Sequence, residues 1–133
     1  MIDPADILLE KARASLARAE SEVANARYDI CANRAYYACF QAAVAALIRA
    51  GIRSPNPQGH WSHLYVHGQF VGQLVNRRKL YPPAVRDTLQ HTYQLRQTAD
   101  YTDDLVSQTQ ALRALRRARE FLLVVGENGG GPR

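Results

Sequence analysis

The run Asn33-Arg34-Ala35-Tyr36-Tyr37-Ala38-Cys39-Phe40, continuing into Gln41-Ala42-Ala43-Val44-Ala45-Ala46-Leu47-Ile48, leaves this chain few ways to fold. It holds no proline or glycine, is rich in alanine, and is apolar almost all the way round. A helix of that kind needs neighbours on most sides, so the run predicts a central helix covered by others. Its polar interruptions, Asn33, Arg34 and Gln41, then call for an explanation, because a polar group inside a bundle must find a partner.

The flanking sequence supplies candidate neighbours. Asp3 and Pro4 suit the cap and first turn of a first helix, whose apolar face is Leu9, Ala12, Leu16, Ala19 and Val23. Lys11, Arg13, Arg18, Glu20 and Glu22 read as its solvated face. The central helix spans about 29–50, with Gly51 as its stop. Pro55, Asn56, Pro57 and Gly59 mark a loop. A third helix is expected from His60 or Trp61 to Val75, with Leu64, Phe70, Val71 and Leu74 facing the core. The basic cluster Asn76-Arg77-Arg78-Lys79 follows, favoured there by the helix dipole. A fourth helix is expected from Pro83 to Ala99 or Tyr101. Ser107 and Gln110 form a capping box for a fifth, with Ala111, Leu115, Ala118, Leu122 and Val125 as its stripe and Gly126 as its end. No segment alternates as a strand. The expectation is an all-α, up-and-down antiparallel bundle of four to five helices over residues 1–126, with a Gly-rich disordered tail over 127–133.

Composition agrees with one domain and a real core: 133 residues, 47% of them hydrophobic. The excess of 17 Lys+Arg over 12 Asp+Glu, net +5, permits an anionic partner without demanding one. Cys31 and Cys39 fall on the same predicted helix, about 12 Å apart along its axis. That is too far for a disulfide, so both read as buried thiols in a reducing compartment. No signal peptide or membrane-length apolar run is evident, and a soluble cytoplasmic protein is expected.

Three places could carry chemistry. His60, His63 and His67 line one helical face but lack a cysteine or carboxylate to complete a metal site, so neither a metal nor a cofactor is expected. Arg86 and His91 have four residues between them, as do Arg96 and Tyr101. An arginine can hold a phosphate and stabilise charge developing on it, and a nearby histidine can move a proton. Together they make a minimal kit for metal-independent RNA cleavage through the 2′-hydroxyl. On a continuous helix this spacing turns the side chains roughly 140° apart, so His91 should point away from Arg86. Tyr101 stands where the helix ends and can fold back to Arg96. An ordinary phenol, with a pKa of about 10, is a poor base near neutral pH. Arg96 and Asp100 also suit a plain i,i+4 ion pair.

The Ala35-Tyr36-Tyr37-Ala38-Cys39-Phe40 helix resembles the Ala-Tyr-Tyr-Ala-x-Phe helix of HEPN domains, in particular the small stand-alone HEPN proteins. Leu9 to Ala19 is similar to the family's first helix. Ser62-His63 with Phe70-Val71 is similar to its Ser-His…Phe-x-x-Phe-Val segment, Arg96-x-x-Ala99-Asp100-Tyr101 to its Arg-x-x-Ala-Asp-Tyr signature, and Ala118 to Phe121 to its closing Ala-x-x-Phe. These stand in order over roughly residues 4–125. The resemblance implies a two-fold dimer of helical bundles, with RNA or nucleotide as ligand. It also implies a ribonuclease site built on Arg-x4–6-His, a role in toxin–antitoxin or defence modules, and a minimal nucleotidyltransferase as possible partner. Arg96 takes the arginine position, but Tyr101 stands where histidine is expected. His63 is the better of two substitutes, His91 being the other. Asn33, Tyr37 and Asp100 are candidate substrate-binding residues beside Arg96, and Tyr101 or His63 would assist proton transfer. A non-catalytic subunit that binds nucleotide or RNA beside a nucleotidyltransferase is the alternative.

Overall fold

A computed structural model describes residues 2–128. Among them the chain forms five α-helices and no strand: α1 (Pro4–Ala24), α2 (Tyr28–Arg49), α3 (His63–Gln69), α4 (Thr88–Tyr101) and α5 (Gln108–Asn128). α2 is the central element. It packs against α1, α3, α4 and α5, while α5 also meets α1 and α4. Ala35, Ala38, Ala42, Ala43 and Ala45 are fully buried along it, and their small side chains let neighbouring backbones approach closely. Tyr36, Cys39 and Leu47 fill the remaining space. Gln41 lies beside the Ser15 hydroxyl on α1.

The helix ends follow local chemistry. Asp3 accepts the Ala5 amide at 2.9 Å, with Pro4 in the first turn. The α1–α2 turn is short, which makes the two helices antiparallel, and Ala26 adopts a left-handed φ of 59° in it. α2 stops at Gly51, φ 82°, where the Ile52 amide donates to Leu47 O and the Gly51 amide to Ile48 O, a Schellman closure. Ser107 and Gln110 cap α5 reciprocally at 2.9 and 3.1 Å. All five expected stripe residues of α5 are buried.

Several expectations change. The third helix begins at His63, because Ser62 caps it by accepting the Tyr65 amide. It continues as a π-helix over Phe70–Arg77. Leu64 is 87% exposed rather than in the core. The inward face carries His63, Val66, His67, Phe70 and Leu74 instead, since both imidazoles find a polar partner on α2. Pro83–Val85 form a separate 3-10 turn before α4. Glu22 is buried rather than solvated, with Arg18 and Arg27 as ion-pair partners. Arg78 donates to Ala50 O at the C-terminal end of α2, so this part of the basic cluster caps another helix. α5 runs two residues past Gly126, and the remainder of the expected tail lies outside the described residues.

Candidate functional site

α2 and α4 meet along their polar interruptions. Arg96 donates from Nε to Asp100 Oδ2 at 3.0 Å and from Nη2 to the Tyr101 hydroxyl at 3.2 Å. Asn33 Nδ2 donates to the same Asp100 oxygen at 2.8 Å. Its own Oδ1 accepts from Nε and Nη2 of Arg34 at 2.9 and 2.7 Å. The result is one polar chain, Arg34–Asn33–Asp100–Arg96–Tyr101, tying the two helices together. The i,i+4 ion pair of Arg96 and Asp100 is therefore part of a larger network.

Aromatic rings enclose the cation. The Arg96 guanidinium carbon lies 5.3 Å from the Tyr37 ring centroid and 5.2 Å from that of Tyr101, and Arg34 lies 5.1 Å from Tyr37. Each is a cation–π distance. Burial alone would lower the pKa of Arg96. Tyr37, Tyr101 and Asp100 outweigh it and raise the value, so the charge is firmly held. Nε and Nη2 of Arg96 are used in this way, and Nη1 makes no hydrogen bond among the described residues.

Behind this network lies a second one. The Tyr36 hydroxyl is 2.6 Å from Nδ1 of His63 and 2.8 Å from Nε2 of His67. The rings of Phe40 and Tyr93 pack on His63 with centroids 5.0 and 5.3 Å away. Burial, then the charges of Arg96 and His60, lower the pKa of His63. Burial, then His63, push His67 down to about 4, with Gln90 pulling the other way. Both imidazoles are therefore neutral near pH 7. Burial and the neighbouring phenols of Tyr37 and Tyr93 push the Tyr36 phenol well up, so it keeps its proton.

The structure thus brings together Asn33, Tyr37, Arg96, Asp100 and Tyr101, with His63 beside them. His91 stands apart: it lines a groove between α4 and α5, while Arg86 reaches Asn76 instead. His60 lies ahead of α3, outside the line of three expected on one helix. Among the described residues no three His, Cys, Asp or Glu side chains gather as a metal-holding group. Cys31 and Cys39 are free and buried, and burial pushes their thiols up to about 11 and about 12. No helix among the described residues is long and apolar enough to cross a membrane.

Three participants lacked a clear motif. Arg34 reads as an isolated charge until Asn33 is seen to link it to Asp100. Tyr36 and His67 carry a weaker signal: a tyrosine in an otherwise apolar helix needs a partner for its hydroxyl, and the two histidines of α3 supply it.

No curated protein matches the chain. The family model of the HEPN domain matches residues 5–128, nearly the whole chain. That family is one of RNA-related nucleases and nucleotide-binding domains. This chain belongs to the HEPN domain family.

Proposed function

We propose that this protein is a cytoplasmic, metal-independent endoribonuclease, acting as the toxin of a toxin–antitoxin or defence module. The observation that carries the reading is the setting of Arg96. It is an enclosed guanidinium held from one side by Asp100, with Nη1 making no hydrogen bond among the described residues and a neutral histidine close enough to feel its charge. In this reading Arg96 binds the scissile phosphate and offsets charge growing on it. The 2′-oxygen attacks phosphorus as its proton passes to Nε2 of His63. The Tyr101 oxygen accepts from Arg96, which leaves its own proton free for the departing 5′-oxygen. The products are a 2′,3′-cyclic phosphate and a 5′-hydroxyl, and protons return through water.

His63 can play this part only in one tautomer. A phenol donates one proton, so Tyr36 donates to one imidazole and accepts from the other. If Tyr36 donates to Nε2 of His67, then Nδ1–H of His63 donates to Tyr36 and Nε2 of His63 is bare. Asn33 and Tyr37 flank the phosphate position. A two-fold dimer that sets two copies of Arg96 across one cleft completes the site, and a strict monomer in light scattering would remove that cleft.

A second reading is favoured by Asp100, which already occupies Nε of Arg96, and by tyrosine at position 101. The protein is then a non-catalytic subunit that binds RNA or nucleotide for a minimal nucleotidyltransferase. Growth on induction separates the two. The ribonuclease reading expects arrest with the wild-type chain and growth with Arg96→Ala. Equal behaviour of both strains contradicts it.

A further inference from the structure

The face of α4 opposite Arg96 bears a separate feature. Counting about 100° per residue, Gln94 and Thr98 point roughly 160–200° away from Arg96. Together with His91 they line a groove of about 270 Å³ against α5, whose wall is Gln110, Arg113 and Arg117. No carboxylate lines it.

Thr92 and Thr98 spend their hydroxyl protons on the α4 backbone, but the charged side chains of the groove are donors without acceptors. Neither Arg113 nor Arg117 forms a hydrogen bond or ion pair among the described residues, whereas Arg96 and Arg119 each hold a carboxylate. Gln110 spends its oxygen on the Ser107 amide, which leaves its amino group free to donate. The side chains of His91 and Gln94 are likewise unpaired among the described residues. Arg113 and Arg117 are like charges at i,i+4 on one helix, which repel each other. An anion between them turns that repulsion into two charge-assisted hydrogen bonds.

We infer that the α4–α5 groove is a phosphate-binding site, distinct from the Arg96 site, that takes a phosphate group of a ribonucleotide. The two guanidiniums hold the phosphate oxygens, and Gln110 and Gln94 donate to what remains exposed. Its ligand can be one link of an RNA strand or the phosphates of a free nucleotide, and the two are told apart by experiment. The site does not depend on cleavage at Arg96.

The test measures binding of a labelled single-stranded RNA and, separately, of ATP. The proteins are wild type, the pair Arg113→Gln/Arg117→Gln, and a charge-matched control, Arg53→Gln/Arg116→Gln. The groove pair is expected to weaken RNA binding at least tenfold and to flatten its log–log salt dependence by about 0.7, from the one phosphate the two arginines share. The control should move affinity by less than threefold. Gln94→Glu keeps the shape of the groove but adds a negative charge, and it should also weaken binding, which guards against misfolding of the double variant. Loss in the RNA arm alone assigns strand phosphate, and loss in both arms assigns a phosphate site open to free nucleotides. Groove variants that bind both probes as the control does overturn the inference, as does a wild-type protein that binds neither. The same fold-loss in an Arg96→Ala background is expected, because distant sites act additively. That result keeps the groove separate from the fate of the ribonuclease reading.

Discussion

The Tyr101 hydroxyl lies 3.2 Å from Nη2 of Arg96, with its ring over the same guanidinium. Tyr101 is 68% exposed, while the Arg96 side chain is only 11% exposed. The tyrosine is thus a surface cover on an enclosed cation, and its hydroxyl sits beside the guanidinium. Replacing it with a group that titrates near neutral pH should improve proton transfer. Tyr101→His is expected to raise the rate of RNA cleavage about tenfold or more, with little change in thermal stability, because the site is exposed. Gel assays of cleavage at pH 7 check this, and an unchanged or lower rate speaks against proton transfer at position 101.

Asp100 competes with any phosphate for Arg96. Asp100→Asn keeps the shape and removes the charge, so RNA or nucleotide affinity should rise roughly threefold to tenfold. Stability should fall by no more than about 1 kcal/mol, as befits a partly exposed ion pair. Binding titrations and chemical denaturation of the same variant read both effects.

Tyr36→Phe removes the hydroxyl that serves two imidazoles and leaves Nδ1 of His63 and Nε2 of His67 without it. An unsatisfied, largely buried polar group costs about 1–3 kcal/mol, so a clear drop in denaturation midpoint is expected. Nitrogen chemical shifts of His63 should show a mixture of tautomers in the variant and one tautomer in the wild type.

The same cluster sets a pH dependence. His63 faces Tyr36 and Tyr37 from α2, Arg96 and Tyr93 from α4, and His60 and His67 from its own segment. Both His63 and His67 have pKa values below the unfolded value of 6.5, His67 at about 4. Between those values the unfolded chain binds more protons than the folded one. Stability is therefore full above pH 6.5 and lost as pH falls toward 4, by on the order of 1–2 kcal/mol for His67 after allowing for partial exposure. His67→Gln should flatten that decline in a series of denaturation curves. A profile as steep as wild type would remove His67 as its source.

The helical architecture was legible in the sequence because it rests on local rules. Asp3, Gly51 and the Ser107–Gln110 pair ended helices where their chemistry dictates, and the alanines of α2 marked the centre. Leu64 misled because hydrophobicity alone cannot show that two histidines share a buried phenol and claim the inward face. The π-helix over Phe70–Arg77 left no periodicity to read, since the pattern of a single widened segment merges with that of an α-helix. At the candidate site Arg96, Asp100 and Tyr101 could be grouped by spacing. The contact of Asn33 with Asp100 joins residues 67 apart in sequence and needed the packing of α2 on α4.

The central claim is that Arg96 serves RNA cleavage without a metal. The most direct measurement incubates purified wild-type protein and Arg96→Ala with a labelled RNA in excess EDTA and analyses the ends produced. Wild type is expected to yield 2′,3′-cyclic phosphate ends, and Arg96→Ala to do so about 100-fold or more slowly while keeping its fold by circular dichroism. Equal cleavage by both proteins, or no cleavage by the wild-type protein, would contradict the account.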